Sequence, residues 1–266
     1  MLFYRGTPFR SSYAGAMANR RAPGRDETRD EWAAKIAALS EPSGTERAEK
    51  APITVGRIMS AAFELVESEG FEALTMRRVA AALRTGPASL YAHVRNKAEL
   101  DELLISDLCA RVPVPVPDPE RWTEQMLDIC RALRDEYLRY PGISRAALAA
   151  APNSLDALRL SEGMLTVLLT AGVAPQPAAW AIDAAFLYVS AYCFEASLRH
   201  HAESGVDQRV LDRDALAERY RMLPSDTFPS TVAHIYELTS GEEHERFEFT
   251  LRALLGGLTP GPPRAS

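Results

Sequence analysis

From Pro52 onward, apolar residues recur at helical spacing, and no stretch alternates apolar and polar with period two over any length. The pattern therefore predicts helices and no sheet. The first helix beyond Pro52 places Ile58, Ala62 and Leu65 in one stripe with Phe63 and Val66 beside it. Gly70 stops it, as the residue type that tolerates positive φ. A second helix opens at Thr75, an N-cap residue type, and buries Val79, Ala80 and Leu83. Pro87 opens a third at the first helical position, where its missing N–H has no partner to lose. Leu90 and Val94 are its large aliphatics, four apart, so one narrow stripe docks while Ser89, Tyr91 and His93 face outward. Asn96 caps a fourth helix that runs through Leu100, Leu103, Leu104 and Leu108 to about Arg111.

"PVPVPDP", Pro113 to Pro119, cannot continue a helix and predicts a stiff linker. Beyond it, Trp122, Met126, Ile129, Leu133 and Tyr137 form a stripe ended by Pro141-Gly142, and Leu155 to Ala171 forms a helix closed by Gly172. A long helix from about Pro177 to His201 is hydrophobic around most of its circumference, which marks it as buried or shared between subunits. Phe247, Leu251, Leu254, Leu255 and Leu258 define the last one. Residues 1–51 read as a disordered, arginine-rich extension, with a helix left open over Asp30 to Leu39 and Met17 a second candidate start. The rest divides into 52–112, 113–258 and a tail, 259–266.

A 47% hydrophobic chain of 266 residues can bury a substantial core. No apolar run approaches the roughly 18 residues of a membrane span, because Asp183 interrupts Ala178 to Ala191, and the N-terminus lacks a signal-peptide pattern. The expectation is a cytoplasmic protein with no membrane partner. Cys109, Cys130 and Cys193 are too irregularly spaced for a disulfide framework or a zinc site and are expected to be reduced core residues. Net charge is −6, but its distribution is uneven. Ala73 to Ala98 holds five bases and no acid, whereas Glu99 to the end holds 25 acids against 15 bases. One small positive face on a negative protein suits contact with a polyanion. No phosphate loop, HExxH, Gly-x-Ser-x-Gly or paired-cysteine motif supports catalysis. The rival class is a helical small-molecule-binding protein or enzyme without DNA binding.

A short helix that buries two residues, follows a tight turn after another short helix and turns polar groups outward has the form of a helix-turn-helix recognition helix. "ITVGRIMSAAFELVESEGFEALTMRRVAAALRTGPASLYAHVRNKAELDELL" resembles the DNA-binding domain of the TetR (tetracycline repressor) family, most specifically in "LTMRRVAAAL" and "SLYAHVRNKAELDELL". The resemblance implies that Tyr91 and Lys97 hold the DNA backbone. Thr75, Arg77 and Arg78, at the start of the second helix, lie near a base edge or phosphate. Ala88, Ser89 and His93 lie where base edges are read, His93 with phosphate or its own domain as the alternative partner. Arg84-Thr85 replaces the family's usual Gly-Val, so the turn must accept unfavourable backbone or change shape.

"YPGISRAALAAAPNSLDALRLSEGMLTVLLTAGV" and "ERFEFTLRALLGGL" resemble, more loosely, the family's tetracycline-repressor-like ligand-binding and dimerisation domain. That branch implies a homodimer through a four-helix interface. The candidates are Ile182, Phe186, Val189 and Cys193 on the long helix and Leu251, Leu254 and Leu258 on the last, with intramolecular core as the alternative. An effector pocket would draw on Trp122, Tyr137, Phe186, Tyr188 and Tyr192 for walls and on Arg145, Asn153 and Glu195 for polar contacts, each of which can instead be structural. The tetracycline repressors' magnesium-binding histidine is replaced by Ala147, and His200-His201 point too far apart to form a metal pair. No metal or cofactor is expected. The function implied is an all-α, non-enzymatic regulator, most simply a repressor. It binds a palindromic double-stranded operator as a homodimer and is released by a small apolar or aromatic effector.

Overall fold

A computed structural model describes residues 52–149, 154–203, 213–241 and 244–259, and among these all regular structure is helical. The helix open to residues 30–39, the alternative start at Met17 and Asn153 lie outside the described residues. The local signals act as anticipated. Thr54 caps α1 (Val55–Glu69), accepting from the Arg57 N–H, and Gly70 ends it at φ 80°. A 3₁₀ turn, Phe71–Ala73, leads to Thr75, whose hydroxyl oxygen accepts from the Arg78 N–H at 3.2 Å and starts α2 (Met76–Ala82). Pro87 stands at the start of α3 (Pro87–Tyr91), and Asn96 caps α4 (Lys97–Arg111) by accepting from the Glu99 N–H at 2.9 Å. The turn between α2 and α3 meets the strain that its sequence implies: Arg84, at φ 52°, is the non-glycine residue with positive φ among the described residues.

The C-terminal bundle comprises α5 (Trp122–Leu138), α6 (Ser144–Ala149), α7 (Leu155–Thr170), α8 (Pro175–Glu203), α9 (Arg213–Arg221), α10 (Pro229–Ala233), α11 (Ile235–Thr239) and α12 (Glu245–Gly256). α8 is its axis, packed against α5, α6, α7 and α12, while α4 leaves the N-terminal helices and inserts beside α5, α6 and α7. One core runs through both, from Ile58, Val79, Leu90 and Val94 through Leu100, Leu104 and Leu108 to Met126, Leu160, Val189 and Phe247. The three cysteines are free and buried within it. Burial pushes each thiol up to about 12.

Two features depart from the sequence expectations. Pro175–Leu198 is long and apolar enough by length and composition to cross a membrane, since Asp183 does not lower the mean far enough. Its contacts with four bundle helices account for that character as a core helix. The proline-rich linker is also more than a spacer. The buried Gln125 amide donates to the Val116 carbonyl at 2.7 Å, and its oxygen accepts from the Asp118 N–H at 2.9 Å, pinning the linker to α5.

Candidate functional site

α2 and α3 form the outward head that the spacing implied. Leu90 in α3 and Val94 in the turn after it are fully buried, Val94 N–H bonding back to the Leu90 carbonyl at 2.9 Å, so these two aliphatics anchor the segment to the core. α3 is shorter than expected, ending at Tyr91, and His93 sits in the turn that follows with its N–H on the Leu90 carbonyl at 2.9 Å. Ala88, Ser89, Tyr91 and His93 are all exposed, as are Thr75 and Arg77 at the start of α2. Thr75 spends its oxygen lone pair on the cap and keeps its O–H as a donor.

The bases are less uniformly available than their number suggests. Arg78 pairs with Glu69, Arg95 with Glu99 at 3.3 Å, and Lys97 with Asp101. Each acid lies just outside the acid-free segment, where one-dimensional charge counting missed it. Arg77 and Arg84 form no ion pair among the described residues. Burial raises the Asp101 carboxyl above its ordinary range, against the lowering effect of Lys97.

The joint between the two parts of the chain is built on Phe71. Its N–H donates to the Pro141 carbonyl at 2.8 Å, and the Lys97 ammonium lies 4.1 Å from the ring centroid. Arg145, a polar candidate for an effector pocket, pairs with Glu72 across this joint. It faces the N-terminal helices because α6 presents its first turn to the 3₁₀ turn. A cleft of about 310 Å³ opens here, lined by Phe71, Glu72, Leu74, Lys97, Asp101, Arg145 and Ala146.

The other described effector candidates lie on α5 and α8. Tyr137 is buried among Cys109, Ser190 and Cys193, and burial first, then those neighbouring thiols, pushes its phenol well up. Tyr188 and Tyr192 pack on Phe247 with ring centroids 5.7 and 4.9 Å away. Their hydroxyls engage α12 and the turn before it, Tyr188 donating to the Arg246 carbonyl at 3.1 Å and Tyr192 lying 3.2 Å from His244 Nδ1. Glu195 pairs with Arg246 at 2.6 Å. These three residues dock α12 on α8 in this conformation. Trp122 and Phe186 are half-buried against the core. A second cleft, about 240 Å³, opens beside Cys109, Val112, Val114, Asp156 and Leu160. Ser144 is 1% exposed, and its hydroxyl has no hydrogen-bond partner within the described residues.

Within the single chain the candidate dimer residues differ in burial. Val189, Cys193 and Leu251 are 0%, 2% and 1% exposed within the single chain, and Ile182 is buried too, so they form the seam between α8, α12 and the subunit's own core. Phe186, Leu254 and Leu258 are half-buried. The outward stripe of α8 is Trp180, Ala184, Leu187 and Ala191, with Trp180 60% and Leu187 52% exposed. On α12, Phe249 is 74% exposed. Helical periodicity was the only signal for choosing a face, and α8 is apolar on both.

Residues 58–102 match the family described as bacterial regulatory proteins, tetR family, and residues 115–260 match the tetracyclin repressor-like C-terminal domain. The chain is 28% identical over 222 residues to the HTH-type transcriptional repressor DrrR1 of Streptomyces coeruleorubidus, covering 80% of this chain and 79% of the relative. It is 29% identical over 206 residues to the tetracycline repressor protein class G of Vibrio anguillarum, covering 76% and 91% respectively. Its fold is similar to that of the Streptomyces coelicolor TetR family protein ActR in complex with actinorhodin. The TM-score is 0.70 at 35% identity, covering 78% of this chain and 97% of that one.

Proposed function

The chain belongs to the TetR family of bacterial transcriptional regulators, and we propose that it is a cytoplasmic repressor that binds a palindromic operator as a homodimer and is released by an apolar or aromatic small molecule. The observation that carries this reading is α3: Leu90 is wholly buried while Ala88, Ser89 and Tyr91 of the same short helix are exposed. A helix so placed leaves its outer face free to enter a groove. Tyr91 and Lys97 hold phosphates, Ala88 and Ser89 meet base edges, and His93, in the turn just past the helix, follows the same groove. Arg77 is the uncommitted cation beside them, whereas Arg78 acts mainly through Glu69.

One such head is too small for specificity, and symmetry supplies the second at a spacing of about 34–36 Å per helical turn of DNA. Trp180 and Leu187 on α8 and Phe249 on α12 are exposed apolar groups available for that symmetric contact. The effector class is supported by the likeness to ActR, whose solved complex holds actinorhodin, and by the aromatic Tyr188, Tyr192 and Phe247 group. A hundredfold release requires about 2.7 kcal/mol of differential affinity between the DNA-binding and released conformations. The test is a gel shift with the DNA upstream of the protein's own reading frame, followed by a metabolite panel that includes actinorhodin. A specific shift that one compound abolishes supports the reading. Absence of any specific shift by the wild type overturns it.

A further inference from the structure

The Lys97 ammonium has two partners in the free protein, and they use it differently. Asp101, one turn along α4, accepts its N–H groups in an ion pair. Phe71 offers a ring face 4.1 Å away, which attracts the charge but accepts no conventional hydrogen bond. An ammonium resting on a ring therefore keeps all three donors for phosphate oxygens, while one paired with a carboxylate has a donor occupied and its charge partly neutralised. Phe71 is itself fastened to the C-terminal bundle. Its N–H bonds to the Pro141 carbonyl at 2.8 Å, and Gly142, at φ 83°, leaves room where a Cβ would lie 3.2 Å from the Phe71 Cβ. The turn Pro141–Gly142 joins α5 to α6, so the ring bridges that turn and the start of α4.

We propose that Phe71 is a positioning residue for operator binding: its ring holds the Lys97 ammonium in phosphate-contacting position, at a place set by the Pro141–Gly142 turn, while Asp101 competes for the same cation. This rests on the assignment of Lys97 as a phosphate contact. It gives α5 and α6 a route to the DNA contact that does not pass along the length of α4.

The experiment measures operator affinity and its salt dependence for the full chain carrying Phe71→Leu, Phe71→Tyr, Asp101→Asn and Lys97→Ala, and for Phe71→Leu combined with Lys97→Ala. Phe71→Leu keeps an apolar side chain without a π face and is expected to weaken binding about fivefold, and Phe71→Tyr is expected to restore it. Asp101→Asn removes the competitor and should tighten binding a few-fold. In the Lys97→Ala background, Phe71→Leu should have no further effect, which a purely structural role would not produce. The proposal is overturned if Phe71→Leu weakens binding equally with and without Lys97, or if Asp101→Asn leaves affinity unchanged. If Lys97→Ala leaves the salt slope intact, the underlying phosphate assignment is what fails, and the role of Phe71 falls with it.

Discussion

Val114 stands where a side chain on Gly163 would be: a Cβ on that glycine would lie 2.3 Å from Val114 Cγ1. Gly163 is in the middle of α7, where glycine costs about 1 kcal/mol relative to alanine, so its presence calls for a packing reason. The reason is the linker, which lies in the notch.

Gly163→Ala therefore has opposing effects. The helix gains about 1 kcal/mol in propensity, and a forced displacement in a packed contact costs about 1–3 kcal/mol. Because Val114 is 45% exposed, it can swing outward, which keeps the cost at the low end. The expected outcome is a net stability change below about 1 kcal/mol together with a freed linker. The reporter is the Asp118 amide, which Gln125 holds at 2.9 Å and which should exchange faster. Unchanged exchange at Asp118 with a large fall in Tm would show that the notch serves α7 packing instead.

At the helix-turn-helix turn, Arg84 carries a φ of 52°. A non-glycine residue there costs about 1–2 kcal/mol, while glycine at the same position loses about 0.5–1 kcal/mol in chain entropy. The difference favours Arg84→Gly by about 0.5–1 kcal/mol. Urea unfolding of the two proteins checks the sign, and a destabilised glycine variant would mean that the guanidinium makes a compensating contact.

This strain was legible in the sequence, as were the caps. Thr75, Pro87, Asn96 and Gly70 act through their own backbone neighbours, so their roles follow from residue type and position. What joins distant residues was not legible. Arg145 was assigned to an effector pocket because nothing local ties it to Glu72, 73 positions earlier. Lys97 read as a free cation because Phe71 and Asp101 lie on either side of the acid-free window. Which face of α8 is inward was not legible for a different reason: with Val189 and Leu187 both aliphatic, periodicity cannot say which one is inside.

The attachment of α12 to α5 depends on charge and hence on pH. Arg131 donates to both Glu248 oxygens, at 2.7 and 2.6 Å, and Arg252 reaches Glu124 at 2.7 Å. The Arg131 hydrogen bond holds the Glu248 carboxyl below its ordinary 4.5, and the Arg252 hydrogen bond does the same for Glu124. For a depressed carboxylate the stabilisation is complete above the unfolded value and is lost as pH falls through the folded one. Stability should thus be flat near neutrality and decline below about 4.5, the ordinary carboxyl value. Glu248→Gln should cost about 1 kcal/mol at pH 7, the upper range for a partly exposed pair, and progressively less in acid. A gap between wild type and variant that persists at low pH would assign the loss to packing.

The subunit contact offers the sharpest division between the two faces of α8. Leu187 is 52% exposed and Val189, two positions on, is fully buried, so the helix turns one aliphatic outward and the other into its own core. Leu187→Glu places a charge on the outward stripe, beside the exposed Trp180, without touching the packed interior. A fully desolvated charge in a symmetric contact meets its own copy, and that combination opposes association strongly. The expected result is a folded monomer with unchanged circular dichroism and thermal midpoint at low concentration. It should lose operator affinity steeply because two half-sites are no longer linked. Val189→Ala should do the reverse, costing about 2–3 kcal/mol of subunit stability from lost methyl groups and the cavity left behind, with the dimer intact wherever the fold survives. Sedimentation of both variants decides the matter. A dimeric Leu187→Glu beside a monomeric, stable Val189→Ala would place the interface on the face of Val189, which the family resemblance first suggested.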